Sequence, residues 1–179
     1  MSRDSSETAA KSLIRRYLPE LVYGANDGIV TTFAIVSGIV GASLSSSAIL
    51  ILGFASLFAD GISMAASNIL SERSKTEDRP SLRRASRYGA ATFCGFIAAG
   101  FIPLLAYLLP PFQIPRFALS AGLAGAALFL VGASRAFFTD RTFLRAGIEM
   151  LLIGAGAGAV AFGVGHLGAQ ITGNGGQTP

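Results

Sequence analysis

The sequence predicts an all-α integral membrane protein, a bundle of five transmembrane helices with a cytosolic N-terminus and an outside C-terminus. Three observations predict it. The 179-residue chain is 51% hydrophobic and 13% charged, about half the charged fraction of an ordinary soluble domain, and its mean hydropathy is +0.57. Five runs have the length of about 20 residues that a helix needs to cross a bilayer. Those runs lack the charged stripe at helical spacing that each helix of a soluble bundle would show.

Residues 1–16 are polar and mixed in charge, without the short apolar core and small-residue cleavage site of a signal peptide. They are read as a mobile cytosolic tail, followed by a transmembrane domain over 17–170 and a short tail over 171–179. The spans fall at about 20–42, 48–71, 88–109, 116–135 and 146–169. Within their apolar centres the charged residues are Asp27 and Asp60, joined by the single histidine, His166. Span three contains "FIPLLAYLLPPF", in which Pro103 is expected to kink the helix and Pro110-Pro111 to end it. Span five contains Gly154 and Gly158, a spacing that permits close helix approach within one chain or between two. The lone Cys94 excludes an internal disulfide framework and a cysteine-rich zinc site, and is expected to be small and buried.

Orientation follows from the basic residues. The N-terminal tail holds four, the loop after span two holds six and the region after span four holds three, so 13 of the 14 Lys and Arg lie on one side of the membrane. That side is cytosolic by the positive-inside rule. The pI near 9.7 thus reports topology rather than a nucleic-acid partner, although the basic loop could touch anionic lipid heads.

A carboxylate inside a span carries an insertion penalty of about 2.5–3.5 kcal/mol and normally faces a partner, a cavity or a transport path. Spans one and two form an antiparallel hairpin turning near residue 45, so residues at equal depth have numbers summing to roughly 90. Asp27 is then level with Ser63 and Met64, Asp60 lies one turn further out, and Glu20 is near Glu72 at the cytosolic mouth. Span two shows Asp60, Met64, Asn68 and Glu72 at successive i+4 positions, hence on one face. The ladder reads as a path for a cation. Glu149 joins the candidates at the cytosolic end of span five.

The donor set indicates which cation. Carboxylate oxygens with a thioether suit a divalent transition metal such as Fe²⁺ or Mn²⁺ better than Mg²⁺ or Ca²⁺. The absence of other cysteines and histidines argues against a closed zinc site. No permanently bound cofactor is expected; the metal is cargo. An intramembrane carboxylate can also carry a proton, because burial disfavours its charged form, and metal binding would displace that proton.

At these residues the sequence resembles the vacuolar iron transporter family, which includes the plant nodulin-like iron transporters. The resemblance is carried by "VYGANDGIVTTFAIVSGIVGA" in span one, "FADGISMAASNILSERS" in span two and, more weakly, "LRAGIEMLLIGAGAGAVAFGVG" in span five. It covers roughly residues 17–170 and implies a homodimeric carrier that moves Fe²⁺ or Mn²⁺ out of the cytosol in exchange for protons. It also implies that Asp27 and Met64 lie in the translocation path. The chain departs from the family in two places. Only about seventeen residues, 71–87, separate spans two and three, and they hold Glu72, Glu77 and Asp78 among six basic residues, too few and too basic for the glutamate-rich insert many members carry. Asn68 also stands where many bacterial members have a glutamate. The membrane is expected to be the plasma membrane in a prokaryote or an organelle's in a eukaryote.

Each candidate has a plainer reading. Asp27 could hydrogen-bond a helix break beside Gly28, Asp60 could pair with Asn26 or Ser63, Met64 could fill a core gap, and Asn68 could be interhelical glue. Glu20, Glu72 and Glu149 could simply be solvated at the interface, and His166 likewise. An exporter of a small organic cation would want an aromatic cage, yet the chain has no Trp and four Tyr. A non-transporting scaffold leaves two aligned carboxylates unexplained. An enzyme finds no nucleophile–base pair, phosphate loop or hydrolase metal motif.

Overall fold

The computed structural model describes residues 2–75, 79–110, 113–137 and 142–173, with the backbone alone for 2–16. Glu77, Asp78, Pro111, Arg141 and residues 174–179 lie outside the described residues. Six α-helices follow in order: α1 Ser2–Gly41, α2 Ser46–Arg73, α3 Leu82–Gly100, α4 Ile102–Leu108, α5 Arg116–Ser134 and α6 Phe143–Ile171, with a 3₁₀ turn at Arg135–Phe137. No strand occurs among the described residues. Taken as spans they are five: Tyr17–Gly41, Ser46–Arg73, Leu82–Leu108, Arg116–Phe137 and Phe143–Ile171. The protein is a multi-pass all-α membrane protein, and each expected span is present. The segment read as an N-terminal tail is helical from Ser2 and continuous with span one.

Helix ends follow their local chemistry. Ser45 and Ser81 cap α2 and α3, their hydroxyls accepting from the amides of Ala48 and Arg84 at 3.3 Å each. The α1–α2 turn closes with the Leu44 amide on the Ile39 carbonyl at 3.1 Å, with Ser43 between them at φ 56. That left-handed position favours glycine. Ser43→Gly is expected to raise stability by about 1 kcal/mol, seen as a higher melting temperature of the purified protein.

Span three is broken as its proline suggests. α3 ends at Gly100 with Phe101 as its cap, and α4 restarts with Pro103 in its first turn. A proline nitrogen donates nothing, so the ladder is interrupted there. The Pro103 carbonyl takes a second role, accepting from the buried Ser120 hydroxyl of α5 at 2.8 Å.

α3 is the packing centre. It lies along α1 on one side and α2 on another, whereas α1 and α2 touch each other far less. The hairpin reasoning placed spans one and two face to face; α3 takes most of that contact instead. The cause is small residues. A Cβ on Gly24, Gly28 or Gly95 would collide with the backbone of Thr92, Phe96 or Leu21 respectively, so these glycines let the α1 and α3 backbones meet. Ile29, Phe96 and Leu104 are fully buried beside this contact. The Gly154/Gly158 pair works within the chain: Gly154 faces Leu128 of α5 and Gly158 faces Phe33 of α1. Cys94 was expected to be buried and is exposed instead, because the side of α3 that packs on α1 and α2 is taken by Thr92, Gly95 and Phe96. α2 and α6 leave broad apolar faces uncovered, among them Phe58, Ile62, Leu152 and Val160.

Candidate functional site

The stretch "GANDG" at 24–28 divides between two tasks. Gly24 and Gly28, four apart, seat α1 on α3. Glu20, Tyr23, Asp27 and Val30 occur at spacings of three and four, so they share another face, and with Asn26 they border a cavity of about 640 Å³. α1 runs without a break through this stretch, so no helix break is there for Asp27 to hold. Outside α1, the wall comes from Asn68 of α2, Arg135 of the 3₁₀ turn, and Met150 and Ile153 of α6.

Three acceptor oxygens of the wall residues share one character. Glu20 Oε2, Asn26 Oδ1 and Asn68 Oδ1 are buried and have no hydrogen-bond partner. Among the described residues, every carboxylate or amide oxygen in that condition belongs to a residue that borders this cavity. A buried acceptor left unpaired costs about 1–3 kcal/mol, which a bound cation would offset. Asn68 spends its nitrogen elsewhere, donating from Nδ2 to Thr92 Oγ1 at 3.1 Å. Met150 is 8% exposed, and its sulfur accepts from Arg135 Nη1 at 3.4 Å.

Of the residues singled out from sequence, Glu20, Asp27 and Asn68 border the cavity. Asp60 lies close enough to Asp27 for their charges to interact; its carboxylate accepts from the Ser56 hydroxyl, one turn back on α2, and not from Asn26 or Ser63. Glu72 and Glu20 likewise feel each other's charge. Glu72 also accepts from Lys75 at 2.5 Å, a hydrogen bond that holds the lysine ammonium above its usual pKa. Met64 packs against the core cluster around Leu57 and Phe96. Glu149 stands apart, on an exposed groove of α6 with Thr142, Arg145 and Ile148. His166 lies 3.0 Å from the Gln170 amide at the far end of α6. No group of three His, Cys, Asp or Glu side chains gathers among the described residues. The donor set is therefore mixed: two carboxylates, two amides and a thioether.

Sequence reasoning missed Met150 and Arg135 as wall residues and weighed Asn26 only as a partner for Asp60. The available signal for Met150 was a second soft donor next to Glu149, on the side of α6 that also carries Gly147 and Gly154 inward. Arg135 carried only a topological signal, as one of the basic residues after span four.

Compared with known proteins, the chain matches the VIT family over residues 18–87 and 72–166. The chain belongs to the VIT family. It is a member of a transporter family and not an enzyme. It is similar to vacuolar iron transporter 1 of Arabidopsis thaliana, with 24% identity covering 80% of this chain and 82% of that protein. Vacuolar iron transporter homolog 5 of Oryza sativa subsp. japonica is 27% identical over 90% of this chain and 83% of that protein. A vacuolar iron transporter of Toxoplasma gondii shares 56% identity over 48 residues, 27% of this chain and 16% of that protein.

Proposed function

We propose that this VIT-family chain exports a divalent transition metal, Fe²⁺ or Mn²⁺, from the cytosol in exchange for protons. The observation that carries the reading is the cavity bordered by Asp27 together with Glu20, Asn26 and Asn68, three residues that each keep a buried oxygen unpaired. Acceptor oxygens without donors suit a cation, and the Met150 thioether tilts the set toward transition metals. Relatives named for vacuolar iron transport support iron as the cargo. Glu20 and Glu72 stand where an ion would enter, Asp27 with Asp60 where it would exchange for a proton. Met64 and Glu149 lie off this cavity and carry the weaker part of the reading. The charge bias of the loops supports a cytosolic N-terminus.

The active unit is a homodimer. Tyr23, at the rim beside Asp27, is 65% exposed on a single chain, and Asp27 is exposed too. A mid-span carboxylate at an open rim would be costly against hydrocarbon, and a second copy on this side would cover it.

The test is flux into proteoliposomes that hold an internal metal dye and a pH dye. Metal entry accompanied by opposite proton movement supports the carrier. No flux of Fe²⁺ or Mn²⁺ in folded protein, under either pH gradient, overturns it. Met150→Leu keeps the volume and is expected to stay folded, losing less than about 1.5 kcal/mol. It should also narrow the preference for Fe²⁺ over Mg²⁺ in competition flux, since only the soft donor has gone.

A further inference from the structure

Resting on that cation reading, we infer that Thr92 is a positioning residue that decides which end of the Asn68 amide is left unpaired beside the cavity. Thr92 is fully buried on α3. Its hydroxyl donates to the Tyr88 carbonyl at 3.2 Å, the usual back-bond of a threonine within a helix. With its proton committed there, the Thr92 oxygen has only lone pairs to offer α2. It accepts from Asn68 Nδ2 at 3.1 Å. The amide nitrogen is thereby turned toward α3, and the oxygen is left buried and unpaired, on a residue that borders the cavity. An amide turned the other way would present N–H groups to the cavity and repel a cation.

The placement of Thr92 is itself fixed from both sides. Its backbone carbonyl lies against Gly24 of α1, in the contact a Cβ there would abolish. One turn earlier, Gly89 lies against the Ala65 carbonyl and the Ile69 side chain of α2. Two glycine contacts therefore hold α3 between the helix that carries Asp27 and the helix that carries Asn68. The hydroxyl transmits that register to a ligand orientation. Thr92 touches no ion; it acts through Asn68.

The experiment is equilibrium Mn²⁺ binding to the purified full-length protein, read as loss of the free-ion paramagnetic resonance signal. The variants are Thr92→Val, Thr92→Ser, Asn68→Ala, the Thr92→Val/Asn68→Ala double and Asp27→Asn, each checked for fold by size exclusion. Thr92→Val, isosteric but without the acceptor, is expected to weaken binding about fivefold to tenfold. Thr92→Ser should stay within about twofold of wild type. The double variant should bind no more weakly than Asn68→Ala alone, because the threonine works only through that amide. Thr92→Val effects that add to those of Asn68→Ala would mean that packing, and not the amide, is at work, and would overturn the inference. So would wild-type affinity in Thr92→Val alongside lost binding in Asp27→Asn, a result that leaves the cation reading standing. Absence of binding in the wild type sinks the cation reading and this inference together. Should Thr92→Val fail to fold, Thr92→Ala against Thr92→Ser supplies the same contrast.

Discussion

Asp27→Asn is expected to abolish metal flux and the accompanying proton movement while leaving the protein folded. The side chains are nearly the same size, and Asp27 is exposed at the edge of the cavity rather than packed in the core, so the exchange leaves no void. What changes is charge. A unit charge pair 4 Å apart near a protein surface interacts by about 4 kcal/mol, and a divalent ion doubles that figure. Even after desolvation takes most of it back, a loss on the order of 10²–10³-fold in affinity follows. The same substitution removes the proton-accepting group, so counter-movement of protons should vanish with the metal. Asp60→Asn is the informative companion. Its carboxylate is already engaged by Ser56 and reaches Asp27 through charge alone, so a partial loss, on the order of tenfold, is expected. Undiminished flux in Asp27→Asn would remove the carboxylate from the path.

The fold was legible because its determinants are local. A run of about 20 apolar residues defines a span whatever it packs against, and Pro103 interrupts its own helix. Much of the site was legible for a related reason. Carboxylates and amides inside a span are costly enough to be noticed one at a time, which singled out Asp27 and Asn68, whereas Glu20 was found from its place at the cytosolic mouth. The pairing of helices was less accessible. Depth along a hairpin gives the level of a residue but not its neighbour, and α3 stands where α2 was expected. Asp27 and Asp60 do lie close enough for their charges to interact. Met64, placed level with Asp27 by the same arithmetic, turns into the core with Leu57 and Phe96.

A spacing signal for the true pairing was present in the sequence. "GANDG" is itself a small-xxx-small motif, yet its acidic residue drew attention away from its glycines. The glycine pair in span five was recognised, but spacing does not name a partner, and the two residues serve different helices. Met150 and Arg135 were out of reach for a further reason. Their place on the wall depends on how α5 and α6 wrap against α1, and no local pattern encodes that.

The glycine contact between α1 and α3 makes the second large prediction. Gly95→Ala is expected to destabilise the protein by about 3 kcal/mol or more, at or beyond the upper end of ordinary overpacking. The added methyl would meet the Leu21 carbonyl head-on, with the carbonyl carbon 3.0 Å away and the Leu21 Cα 3.1 Å away. All three atoms are backbone, so no side chain can rotate aside, and the two helices must separate. Separation unpacks Ile29 and Phe96, both fully buried, and lifts the Glu20–Asp27 face from the register in which Thr92 holds Asn68. The control is Gly122→Ala on α5, where nothing lies within 4 Å of the new methyl. That change should be neutral or stabilising by up to about 1 kcal/mol, through helix propensity alone. Thermal unfolding of the two variants, followed by the fraction that remains monodisperse on heating, separates them. If Gly95→Ala melts with Gly122→Ala, the backbones are not in contact, and the cavity is not held open by the α1–α3 crossing.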